Sequence, residues 1–158
     1  MCADFFPFHL QKASDLDIPA ILFLERYCFS PEIAFGQRRW QYLIHQSLAQ
    51  TFVVYDKDVL VAILCVLPHR GWQASEVRCL AVHWQYRKQQ LGSKLLSLAK
   101  TLTQNWGYFS ITLSVDTENQ PALHLYQNHG FQRLRVQPHY YGWGQNAYRM
   151  RCDFSALI

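Results

Sequence analysis

The chain has 158 residues, 50% of them apolar and 16% charged, enough to bury one core and too few for two comfortable domains. Its net charge of +4 is not gathered into a Lys/Arg block, which argues against nucleic acid as a partner while leaving room for a polyanionic small molecule. Five cysteines form no Cys-x-x-Cys pair and the seven histidines make no zinc-type spacing with them, so reduced thiols and no metal are expected.

The first residues, Met1-Cys2-Ala3-Asp4-Phe5-Phe6-Pro7, lack a basic segment followed by a long apolar one, and the longest apolar run, Val59 to Leu67, is far below a membrane span. One domain over residues 1–158, soluble and cytoplasmic, with no membrane partner, is the expectation. Phe5 to Gln11 reads as a first strand. Ser14-Asp15-Leu16-Asp17 offers caps for a helix carrying Ile18, Ile21, Leu22 and Glu25, with Pro19 tolerated in its first turn and an end near Ser30-Pro31. A loop with Phe29, Pro31 and Phe35 leads to a second helix, in which Trp40, Leu43, Ile44 and Leu48 recur at helical spacing. Thr51 to Tyr55 and Val59 to Leu67 read as a hairpin around Asp56-Lys57-Asp58.

Glu76 to Val82 is the next strand, after a loop holding Gly71 and Trp72. Leu91, Leu95, Leu98 and Leu102 mark one face of a helix. Tyr108 to Val115 follows as a strand, and Asn119-Gln120-Pro121 opens a helix with Ala122, Leu125 and Tyr126 facing inward and Gly130 at its stop. Phe131 to Val136 and Ala147 to Phe154 close the chain as strands joined by an aromatic loop, Tyr140-Tyr141-Gly142-Trp143-Gly144.

The joint between the strand ending at Val82 and the helix from Leu91 carries the chemistry. A polar segment, Arg87-Lys88-Gln89-Gln90-Leu91-Gly92-Ser93, aims backbone N–H groups and the positive end of a helix dipole at one point, which suits a phosphate. By spacing alone it is equally a solvated basic turn. The run from Val82 to Leu96, however, resembles motif A of the GNAT acetyltransferases, Gln/Arg-x-x-Gly-x-Gly/Ala, with Arg87 and Gly92 matching and Gln90 in place of the first Gly. Where that position needs a positive φ, a non-Gly residue costs roughly 1–2 kcal/mol. Asn119-x-x-Ala122-x-x-x-Tyr126-x-x-x-Gly130-Phe131 resembles motif B of the same family. The resemblance covers nearly the whole chain and implies a GNAT fold: an α/β (α+β) protein with a mixed, mostly antiparallel sheet of six or seven strands and helices on both faces.

The resemblance also implies roles. Acetyl-CoA would be the cosubstrate, its phosphates held by the backbone of Lys88, Gln89, Gln90, Leu91, Gly92 and Ser93 with charge from Arg87 and Lys88. Its pantetheine arm would lie along Leu80, Ala81 and Val82, residues that are otherwise plain sheet core. Asn119 would bond the same arm while capping its helix. Tyr126, otherwise a core aromatic, would protonate the departing thiolate. N-terminal acetyltransferases often carry Glu or His five residues before the motif B Asn, and here that position is Ser114, which is no base. Glu76 stands where several GNAT enzymes place a catalytic Glu or Tyr, although an exposed glutamate at a strand edge would look the same. His83 is a weaker candidate, and Cys79, in an apolar run, reads as an inert thiol.

The segment Tyr140-Tyr141-x-x-Gly144-x-x-Ala147-Tyr148-x-Met150 resembles the closing hairpin of the N-α-acetyltransferases, whose tyrosines line a groove for a peptide N-terminus, with Phe29 bordering the acceptor pocket. Paired tyrosines can also cap a core edge. An α-amine of pKa about 7.7–8.0 is partly neutral at pH 7, whereas a lysine near 10.4 needs about 3.5 kcal/mol more to deprotonate, so a site with an uncertain base suits the α-amine. The expected function is direct acetyl transfer to a peptide or protein N-terminus. Transfer to a small amine such as a polyamine, amino acid or amino sugar is the alternative, followed by a non-catalytic acyl-CoA-binding module and an unrelated α/β binding domain. The sequence does not give the oligomeric state, and a homodimer is open to it.

Overall fold

The structure, a computed structural model, describes residues 2–155. The elements run β1 (His9–Lys12), α1 (Ile18–Cys28), α2 (Gln37–His45), β2 (Gln50–Asp56), β3 (Val59–His69), β4 (Ala74–Val82), α3 (Leu91–Asn105), β5 (Ser110–Asp116), α4 (Gln120–Asn128), β6 (Gln132–Gly142) and β7 (Gln145–Asp153). The seven strands are ordered β1-β2-β3-β4-β5-β7-β6. β4 runs parallel to β5, while β1–β2, β2–β3, β5–β7 and β6–β7 are antiparallel. Contacts group the chain into two compact units. One takes the chain up to Val66 and Cys79–Leu95, the other Leu67–Arg78 and the chain from Leu96 onward.

The first unit is organised by near-continuous apolar strands. Val61 to Val66 are all fully buried on β3, and Ile63 and Cys65 pack with Val53, Ile18, Ile21, Leu24, Trp40 and Leu43. Each such aliphatic side chain taken from water contributes about 1.5–3 kcal/mol. α1 starts behind a short turn in which the Ser14 N–H donates to Asp17 Oδ2 at 2.7 Å, a carboxylate closing the turn ahead of the helix. α2 ends at His45 because Gln46 is extended (ψ 121°), so Leu48, expected on its apolar face, lies outside the helix and is 37% exposed. The first strand is also shorter than expected. Residues Cys2–Phe5 form a 3-10 turn, and the strand starts at His9, past Pro7, which has no N–H to give a ladder.

In the second unit β5 supplies buried Ile111 and Leu113, and α3 supplies Leu96, Leu98 and Ala99. Leu123 and Tyr126 form the buried face of α4, so the inward set is Leu123 with Tyr126 rather than Ala122 and Leu125. Gly130, at φ +85°, ends that helix in the left-handed region, as its position in the sequence leads one to expect. β5 starts at Ser110, not Tyr108.

β6 and β7 extend well beyond expectation. Tyr140, Tyr141 and Gly142 belong to β6, and the hairpin turn is only Trp143-Gly144. The long β6 accommodates this through register shifts between Arg133 and Arg135 and between Gln137 and Gly142, with His139 left-handed at φ 53°.

Candidate active site

The first unit presents the loop between β4 and the start of α3. β4 carries Leu80 and Val82 half-buried and Ala81 buried, and the chain then turns through a 3-10 segment, Trp84–Tyr86, whose Tyr86 hydroxyl donates to Asp56 Oδ2 at 2.8 Å. Arg87 Nε donates to the Val82 carbonyl at 3.2 Å, so the arginine folds back on the end of the strand. Arg87, Lys88, Gln89 and Gln90 are exposed, and Leu91 anchors the start of α3 at 1% exposure. Gln90, at φ 64°, is left-handed, and so is Lys88 at φ 62°. The position where the family motif has glycine therefore does require a positive φ, which Gln90 adopts. Left-handed residues in a short polar loop turn successive N–H groups toward a common side, a concavity for anions that α3's dipole reinforces. Gly92 and Ser93 lie half-buried in the first turn of that helix.

Phe29 caps α1, its N–H donating to the Glu25 carbonyl at 2.9 Å. The loop after it is held by a residue the sequence reading assigned no role. The Glu25 carboxylate, 1% exposed, accepts from Phe35 N at 3.1 and 3.2 Å and from Trp40 Nε1 at 2.7 Å. Burial raises its pKa, and the Trp40 and Phe35 hydrogen bonds and the Arg39 charge only partly oppose that. His83 Nδ1 accepts from Gln85 N at 3.2 Å and its ring stacks on Trp84, which gives it a capping role. The Cys79 thiol is pushed well above its ordinary range by burial and is a poor nucleophile.

In the second unit the register of three strands gathers polar side chains. Glu76 on β4 pairs with Thr112 on β5, and Ser114, two residues on, pairs with Arg149 on β7. Arg149 Nη1 donates to Glu76 Oε1 at 2.6 Å and to Ser114 Oγ at 3.3 Å, and its Nη2 to Thr112 Oγ1 at 2.8 Å. Arg78 Nη1 donates to Glu76 Oε2 at 3.0 Å, and His69 Nε2 lies 3.2 Å from the same oxygen. Glu76 is thus no exposed edge residue; its side chain is 8% exposed. Burial would raise its pKa, but the Arg149 hydrogen bond and the charges of Arg78 and Arg149 outweigh it and hold the carboxyl below its ordinary value.

Arg149 therefore bridges the two positions, 76 and 114, where a base is sought. The Ser114 hydroxyl donates to Gln137 Oε1 at 2.8 Å, and its carbonyl accepts from the Tyr141 hydroxyl at 3.2 Å. Tyr140 packs edge-on against Tyr141 with ring centroids 4.8 Å apart. On α4, Asn119 caps the helix by accepting from Ala122 N at 3.2 Å, and Tyr126 lies 8% exposed with its ring 5.8 Å from Phe131. Arg149, Arg78 and Thr112 were not foreseen; the unbasic residue at 114 was the one hint that something else fills that place.

Among the described residues no group of His, Cys, Asp and Glu could hold a metal ion, and no helix is long and apolar enough to cross a membrane. The chain is 30% identical over 113 residues to N-alpha-acetyltransferase 30 of Schizosaccharomyces pombe, covering 70% of this chain and 75% of that protein. It is 29% identical over 149 residues to N-alpha-acetyltransferase MAK3 of Arabidopsis thaliana, 92% of this chain and 77% of the relative. The crystal structure of the ribosomal-protein-S18-alanine N-acetyltransferase from Escherichia coli shares the fold, with a TM-score of 0.82 at 18% identity over 96% of both chains. The profile of the Acetyltransferase (GNAT) family matches residues 17–131, and with the left-handed loop ahead of α3 lying inside that span, the chain belongs to this family.

Proposed function

We propose that this enzyme acetylates the N-terminal α-amine of a peptide or protein by direct attack, without an acetylated enzyme. As a family member it is an acetyl-CoA-dependent acyltransferase. Acetyl-CoA supplies the acetyl thioester, and the exposed loop with left-handed Lys88 and Gln90 suits its pyrophosphate. In this reading the backbone of residues 88–93 and the charges of Arg87 and Lys88 hold the phosphates. Leu80, Ala81 and Val82 offer main-chain groups to the pantetheine arm and polarise the carbonyl, and Asn119 steadies the same arm. Tyr126 donates the proton to the departing thiolate, as a phenol of pKa about 10 can to a thiolate whose acid lies near 8.5. Phe29, Tyr140 and Tyr141 line the acceptor.

The observation that carries the choice of amine is the state of Glu76. Two arginines keep it anionic, so it is always ready to accept an N–H, yet the same arginines make it a weak base. Such a group serves an amine that is already partly neutral at pH 7, which is the property of an α-amine and not of a lysine. The names of the curated relatives point the same way. Cys28, Cys65, Cys79 and Cys152 are not joined in disulfides, which fits a cytoplasmic setting.

Thiol release from acetyl-CoA, measured against N-terminal peptides, lysine peptides, polyamines and amino sugars, tests this. Turnover is expected on the N-terminal peptides, and Tyr126→Phe is expected to lower kcat by about a hundredfold or more with acetyl-CoA affinity unchanged. Turnover confined to another amine class would replace the acceptor, and tight acetyl-CoA binding with no turnover would identify a sensing module instead.

A further inference from the structure

The cluster around Glu76 contains one more positive than negative charge. Arg149 and Arg78 both donate to the Glu76 carboxylate, at 2.6 and 3.0 Å, and their side chains are 12% and 23% exposed. One carboxylate neutralises one guanidinium. The other partners of Arg149, Thr112 Oγ1 and Ser114 Oγ, are neutral hydroxyls, and His69, the remaining titratable neighbour of Glu76, brings no negative charge.

The two arginines are not equally occupied. Arg149 is committed through both terminal nitrogens to Glu76, Thr112 and Ser114. Arg78 touches Glu76 through Nη1, while its Nε is buried with no hydrogen-bond partner. A guanidinium takes a carboxylate best along one edge, through two parallel N–H groups, and the edge of Arg78 that contains Nε points away from the nitrogen given to Glu76. A buried donor left unpaired is a standing penalty that a fitting acceptor group removes. Glu76 and Arg78 are two residues apart on β4 and thus share a face of the strand.

From these observations we infer that Arg78 binds a carboxylate of the acceptor, so that the enzyme selects an amine carrying a carboxylate close to it. The inference rests on the proposed role of Glu76 as the group facing the acceptor amine. In an N-terminal aspartate the side-chain carboxylate is one methylene from the α-carbon that bears the amine, so one residue can meet Glu76 with its nitrogen and Arg78 with its oxygens. The α-carboxylate of a free amino acid has the same chemistry. Arg149 is then a positioning residue that fixes Glu76, and Arg78 determines specificity.

The experiment compares kcat/KM for peptides beginning with Asp or Glu against the same peptides beginning with Asn or Gln, all with amidated C-termini so that no other carboxylate is present. Free aspartate and glutamate, with asparagine and glutamine, run beside them. The acidic peptides are expected to be preferred by about tenfold or more, since a site built for a charged group discriminates against its neutral isostere. In Arg78→Gln the ratio falls to about one, and Arg78→Lys restores part of it, whereas acetyl-CoA KM is unchanged in both. Better turnover of the free amino acids than of any peptide, with the same loss in Arg78→Gln, also supports the inference and names the free amino acid as the source. Equal rates for acid and amide acceptors overturn it while leaving the acetyltransferase reading intact. If no amine is acetylated, that reading falls, and anisotropy of C-terminally labelled Asp and Asn peptides on the CoA-loaded protein decides the inference by the same ratio, equal affinities overturning it.

Discussion

Two buried glutamates, one in each compact unit, are pushed in opposite directions by their surroundings. Glu25 on α1 is met by two neutral N–H donors, Phe35 N and Trp40 Nε1, while the guanidinium of nearby Arg39 lies 3.9 Å over the Phe35 ring. Burial wins there, and the carboxyl is raised. Glu76 on β4 is as deeply covered but is met by two guanidinium groups, and it is lowered. Desolvation is similar in kind for both; the charge of the donors decides the outcome. Glu25 thus works as a structural acceptor that orders the loop after Phe29, and Glu76 as a carboxylate whose anionic form is favoured inside a cationic cluster.

The largest expected effect comes from removing what separates the two. Arg149→Met leaves Glu76 with Arg78 and the His69 contact, strips Thr112 and Ser114 of a donor, and is expected to destabilise the fold by about 3–5 kcal/mol in urea unfolding. A loss below about 1 kcal/mol would mean that Arg78 suffices. The next effect is read as stability against pH, with the sign opposite for the two residues. For Glu76, whose folded pKa is below the unfolded value of 4.5, the native state binds fewer protons than the unfolded state in the window just below 4.5. Its stabilisation is present above that window and is lost as pH falls through the folded value.

For Glu25, raised from 4.5, the native state binds more protons in the window above 4.5, so stability rises as pH falls through the folded value. Urea midpoints across roughly pH 3 to 7 should therefore lose their acid-side fall in Glu76→Gln and, in Glu25→Gln, their rise as pH falls toward 4.5. Identical profiles in both variants would break the comparison. The smallest effect is at Gln90, which bears a left-handed backbone without glycine. Gln90→Gly relieves about 1–2 kcal/mol of local strain but returns about 0.5–1 kcal/mol through the freer unfolded chain, for a net gain of up to about 1.5 kcal/mol in thermal unfolding.

What was legible in the sequence follows the same division. Strands and helices announced by periodicity were placed within a few residues, because Val61 to Val66 or Leu91, Leu95 and Leu98 fix their environment by local pattern. The polar turn ahead of α3 was legible too, since the apolar repeat from Leu91 marks the helix start that it precedes. The Glu76 cluster was not, because Arg149 lies 73 residues away from Glu76 and reaches it only through the β5–β7 register. The reach of the final hairpin was missed for a related reason. A strand that shifts register at Arg133 and Gln137 and passes through a left-handed His139 does not show an uninterrupted alternation.

That irregular strand has a consequence for how the molecule behaves in a crowd. β6 ends the strand order, so one side of its main chain faces no strand of the sheet. A long flat strand in that place would template the addition of another chain, as happens in fibrils. Here the exposed Arg133 and Arg135 repel a like-charged copy, Pro138 withholds an N–H, and the bulged, left-handed stretch bends the ribbon away from a flat surface. The irregularity that hid the hairpin from sequence reading is also what keeps eleven residues of outer strand from stacking on another chain.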